Sequence, residues 1–100
     1  MTPNNQRRQQ QRMKDFWHRE IEDTVISYYN TQEMLASNPY RGPRVPYKPP
    51  ELTVRIIRDV LTYTKYNIPE RYKPYLRERL EAHRRQLIAK AVAERLKARP

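Results

Sequence analysis

Apolar side chains at Met13, Phe16, Trp17, Ile21, Val25, Tyr28, Tyr29 and Leu35 recur at steps of three and four. That spacing lines one side of a 3.6-period helix. Asp15, Arg19, Glu22, Asp23 and Glu33 fall mostly on the other side, and no glycine or proline interrupts the run. Asn38 followed by Pro39 stops it, because the residue before proline is pushed out of the helical region. The pattern predicts a first amphipathic helix over residues 9–37, preceded by a basic tail at residues 1–8.

From residue 38 to 50 the pattern changes. Pro39, Pro43, Pro46, Pro49 and Pro50 crowd around Gly42. Their fixed φ angles and missing donors predict a stiff, extended, polyproline-like strap.

Beyond the strap, Leu52, Ile56, Ile57, Val60, Leu61 and Thr64 form an apolar face. β-Branched residues are frequent here and raise the alternative of a strand. The adjacent pairs Ile56–Ile57 and Val60–Leu61 break strict alternation and favour a helix over residues 51–66. Pro50 suits its first turn, with Glu51 at the favourable end of the dipole. Asn67 is placed to cap a turn before Pro69. After Pro74, a stripe of Leu76, Leu80, Leu87, Ile88, Ala91, Val92 and Leu96 predicts a third helix over residues 74–97. The expectation is an all-α chain of about three amphipathic helices in a single small unit, its C-terminal half spanning residues 51–100.

Composition changes the picture by making that core marginal. A chain of 100 residues buries only about two-thirds of the surface it exposes when unfolded. Hydrophobic residues make up 37% and charged residues 32%, so a partner surface is expected to tip the balance. Lys and Arg outnumber Asp and Glu 21 to 11, a formal charge of +10, which points to phosphate or acidic partners. The excess is uneven: residues 15–33 are acidic and residues 70–99 strongly basic, so these two thirds are expected to face different neighbours. The absence of cysteine excludes disulfides and thiolate chemistry. No apolar run approaches the roughly 20 residues that cross a bilayer. Arg7, Arg8, Arg12 and Lys14, with no acid before Asp15, fit either an uncleaved mitochondrial address or a plain basic tail.

Candidate chemistry is sparse. His18 and His83 lie on different helices without a serine or cysteine motif, and read as surface or packing residues. Glu20, Glu22 and Asp23 match no metal-ligand spacing, and a single glycine leaves no phosphate loop. No catalytic, cofactor or metal residue is assigned, and the chain is expected to be no enzyme. The aromatic set says more: eight tyrosines, one tryptophan and one phenylalanine. Tyrosine gives large contact area at low entropic cost, which enriches it at interfaces. Tyr28, Tyr29, Tyr63, Tyr66, Tyr72 and Tyr75 exceed what three short helices are expected to cover, so burial against a partner is preferred over an internal core. In the strap, Tyr40, Arg41, Arg44 and Tyr47 interleave rings and cations on an extended backbone, which suits unpaired bases or an acidic protein groove. Candidate partner-binding residues are therefore Trp17, Tyr28, Tyr29, Tyr40, Arg41, Arg44, Tyr47, Arg55, Arg58, Tyr72, Tyr75, Arg84 and Arg85.

The second half also carries a resemblance. Arg55-Ile56-Ile57-Arg58, then Ile68-Pro69, then Pro74-Tyr75-Leu76-Arg77-Glu78 and a charged final helix resemble the binding-protein subunit of mitochondrial cytochrome bc1 complex. Tyr28-Tyr29-Asn30 is similar to a tyrosine-rich segment upstream in that family. The resemblance implies a non-catalytic accessory subunit, peripheral on the matrix side of the inner membrane. Its partners would be other protein subunits and anionic lipid headgroups. Ile56-Ile57-Arg58 and Leu76-Arg77-Glu78-Arg79-Leu80 are similar to a degenerate Leu-Tyr-Arg motif protein, which implies an accessory subunit of complex I. That likeness lacks the Leu-Tyr pair and the later phenylalanine. Charge balance alone leaves a third reading open, a mitochondrial ribosomal protein contacting rRNA through its basic strap and last helix.

Overall fold

A computed structural model describes residues 3–37 and 47–98. Among them the chain is all-α, as expected: α1 (Pro3–Ala36), α2 (Val54–Leu61) and α3 (Lys73–Ala98), with a single 3-10 turn (Glu70–Tyr72) leading into α3. Nine of the thirteen strap positions, 38–46, lie outside the described residues, and so do Tyr40, Arg41 and Arg44.

Three boundaries differ from the sequence reading. The segment expected as a tail is helical from Pro3, where the fixed φ of proline suits a first turn. The second helix is eight residues rather than sixteen, since Pro50 and Glu51 precede it and Thr53 opens it. The Thr53 side chain accepts the Ile56 N–H at 3.2 Å. At its other end the Thr62 and Thr64 hydroxyls donate to the carbonyls of Asp59 and Leu61, at 2.6 and 2.9 Å, and turn the chain out of the helix. Asn67 caps nothing, because the 3-10 turn starts from Pro69 without a side-chain cap. Its closing bond runs from the Tyr72 N–H to the Pro69 carbonyl at 2.9 Å.

α1 and α3 lie side by side and parallel. Glu22 meets Arg79 and Glu33 meets Lys90, each pair 57 positions apart in the sequence. The acidic and basic thirds, expected to face different neighbours, thus face each other. α2 packs on α1. Ile21, Val25, Tyr28 and Tyr29 of α1 pack on Val60 of α2, on Ile68, and on Leu76 and Leu80 of α3. Pro49 is also fully buried, and Arg84 of α3 donates to the Pro50 carbonyl at 2.9 Å, which ties the end of the strap to the body.

The apolar stripes are only partly used. Met13, Phe16 and Leu35 on α1, and Val92 and Leu96 on α3, are exposed although the sequence reading placed them on core faces. α1 outruns α3 at its start, because the 57-residue offset sets Lys73, the first residue of α3, beside Phe16. The molecule measures 65 × 26 × 20 Å, with a radius of gyration of 17.5 Å against about 13 Å for a compact chain of this length.

Candidate docking surface

Consecutive residues on a helix diverge by about 100°. Trp17 therefore leans into the core, whereas its neighbour Phe16 stands outward with 45% of its surface exposed. Their rings still meet edge to face at 5.1 Å between centroids. Tyr66, in the loop after α2 and 54% exposed, approaches Phe16 at 5.8 Å. Tyr72, on the 3-10 turn, stacks on Trp17 at 6.2 Å and carries the Arg71 guanidinium 4.9 Å above its ring. The result is a ledge of rings, Tyr66–Phe16–Trp17–Tyr72, built from α1, the loop and the turn. Offset and edge-to-face pairs of this kind hold one another in place beyond their buried area.

His18 continues the ledge inward. Its ring stacks on Tyr75 at 3.8 Å and meets Tyr72 edge-on at 6.2 Å, so it is a packing residue, in line with the sequence reading. Beneath it the Arg79 guanidinium donates to the Glu22 carboxylate, and the Tyr75 hydroxyl donates to the same carboxylate at 3.5 Å. The bond to Glu22 raises the already high pKa of Arg79, so its charge persists throughout the ordinary pH range. Burial, with Glu22 adding to it, pushes the Tyr75 phenol up.

A second chain of rings is internal. Tyr63 meets Tyr28 at 5.6 Å, Tyr28 meets Tyr29 at 5.3 Å, and Tyr29 stacks on His83 at 5.2 Å. The Tyr29 hydroxyl donates to the Leu80 carbonyl at 3.1 Å in the core. Burial raises the Tyr28, Tyr29 and Tyr47 phenols, most strongly Tyr29. Tyr28 and Tyr29 are thus core residues, which corrects their assignment to a partner interface: Val60 of α2 and Leu76 and Leu80 of α3 share their cluster.

Of the other candidates, Trp17, Tyr72 and Tyr75 come together at the ledge. Tyr47 packs half-buried against the core. Arg55 and Arg58 are exposed on α2, Arg84 is spent on Pro50, and Arg85 stands free on α3. Phe16, which was not a candidate, and Tyr66, counted among the surplus tyrosines but not among the candidates, are the exposed members of the ledge.

Beside the ledge, Gln6, Gln9, Gln10, Met13, Lys14, Arg71 and Tyr72 line an open groove of about 720 Å³. Its polar lining is three amides, two cations and the Tyr72 phenol, with no carboxylate. Among the described residues no cluster of His, Asp and Glu could hold a metal ion, and no helix is long and apolar enough to cross a membrane. A comparison with known proteins finds no family model, no curated relative and no solved structure that matches the chain.

Proposed function

We propose that this chain is a non-catalytic accessory subunit that docks on a large mitochondrial assembly and supports its construction and stability. The observation that carries the reading is the ledge: rings fixed by mutual stacking, half exposed and bordered by Lys14 and Arg71. Rigid, partly exposed aromatics beside cations are the kind of anchor that dominates protein interfaces. The segments around Arg55–Arg58, Ile68–Pro69 and Pro74–Glu78 favour cytochrome bc1 complex as the assembly, on its matrix side. In that setting the ledge takes a partner with apolar side chains flanked by acids.

Blue-native separation of mitochondria containing the tagged chain, followed by mass spectrometry, tests this. Co-migration with complex III is expected, and the F16A/Y66A variant should run free while keeping its helical circular dichroism. Migration with ribosomal particles would overturn the proposal in favour of the rRNA-contacting reading, and co-migration with complex I would favour the Leu-Tyr-Arg reading.

A further inference from the structure

α3 is apolar on two opposite sides. Leu76, Leu80, Leu87 and Ala91 face the body, while Ile88, Val92 and Leu96 form a second row at steps of four along the outside. Lys90 reaches across to Glu33 of α1, which fixes the side of α3 that faces its neighbour. Val92 follows two residues later, about 200° round the helix, so the outer row points directly away from α1. Ile88 is half-buried, but Val92 and Leu96 are 50% and 62% exposed, and the row runs for about 12 Å.

The charges around this row are one-sided. Arg85 opens it and Arg95 borders it, both exposed. Glu94 lies two residues from both Val92 and Leu96 and therefore on the far side, and Glu81 sits a full turn before Arg85. Ala89 and Ala93 fill the remaining edge with small side chains. We infer that the outer side of the last turns of α3, from Arg85 on, lies flat on an anionic lipid surface, with Val92 and Leu96 entering the interface and Arg85 and Arg95 meeting headgroup phosphates.

The shape and chemistry select this occupant. The row is aliphatic, convex and carried by one helix, without a ring or a groove in which a protein partner could seat an anchor. A fluid interface needs neither, and takes a shallow apolar strip flanked by cations. Arginine stems can lie along apolar surface while their heads reach the phosphates. A second copy is disfavoured, because Arg85 and Arg95 would face cations like themselves on a chain of net charge +10. The residues are separate from the ledge, so this inference and the proposed function fail independently.

Sedimentation of the full chain with vesicles tests it. Binding to phosphatidylcholine vesicles containing cardiolipin is expected, with little binding to phosphatidylcholine alone. V92D/L96D should lower partitioning roughly tenfold without loss of helical signal, and R85Q/R95Q should lower it on anionic vesicles only. F16A/Y66A should leave it unchanged. Equal binding by V92D/L96D and the parent chain overturns the inference. So does a dimer that V92D/L96D converts to monomer, or a photo-cross-linker at position 92 that captures a protein subunit instead of lipid in the intact assembly.

Discussion

At the residue scale, Tyr29 shows how a polar group is kept inside so small a core. Its ring supplies area among Ile21, Val25 and Leu80, and its hydroxyl takes the Leu80 carbonyl, so burial leaves no orphaned donor. Tyr29→Phe should cost about 1 kcal/mol of unfolding free energy in urea titrations, the net worth of one neutral hydrogen bond. The same burial sets an alkaline limit. Phenols of the unfolded chain release their protons near 10.0, whereas those of Tyr28, Tyr29 and Tyr47 hold theirs to higher pH in the fold. Raised folded values mean stability is full below pH 10 and is lost as pH rises through those values. Urea midpoints measured against pH should be flat up to 10 and then fall, less steeply in Tyr29→Phe. An identical fall in the variant would remove Tyr29 as a cause. Sequence reading put Tyr28 and Tyr29 at an interface, because tyrosine suits core and interface equally and only the packing of α2 and α3 on α1 decides between them.

At the element scale, periodicity identified all three helices and bounded α3 within a residue at each end, but misplaced the start of α1 and both ends of α2. Pro50 is chemically suited to a helix start, yet Thr53 takes that place, because Pro49 and Pro50 are engaged with the body and the backbone turns only afterwards. α2 has eight residues, too few to hold its shape by intrinsic propensity, so its cap matters. Thr53→Ala should cost about 1 kcal/mol, with Thr53→Ser close to the parent chain. For a domain of this size that is a loss of roughly 4–8 °C in the thermal midpoint, readable by circular dichroism. A loss of less than a degree would mean that packing of Val60, not the cap, holds α2. The outer row of α3 shows the opposite limit of periodicity. A helix with two apolar sides reads as a single drifting stripe, and the stripe alone does not tell which members face the core.

At the scale of the whole molecule, length is spent on reach rather than on bulk. α1 is 34 residues, about 51 Å of helix, and its first turns run past the start of α3. From Pro3 to Lys14 it carries Arg7, Arg8, Arg12 and Lys14, all exposed and none ion-paired within the described residues. X-ray scattering should give a radius of gyration near 17.5 Å, clearly above the roughly 13 Å of a compact chain. A value near the lower figure would mean that α1 breaks and folds back in solution. Charge at this scale was legible in the sequence only as a sum. Its distribution followed from the parallel register, which spends Glu22 and Glu33 on α3 and leaves both tips basic.

The parallel pairing of the first and last helices also governs the order in which this protein can come together. A hairpin can close as soon as its second arm emerges, but here the residues that cover Ile21 and Tyr29 arrive only when Leu76 and Leu80 have been synthesised. Until then the opening helix presents its greasy flank to whatever guards nascent chains. Any transcript truncated before α3 should therefore yield a fragment that is cleared rather than accumulated.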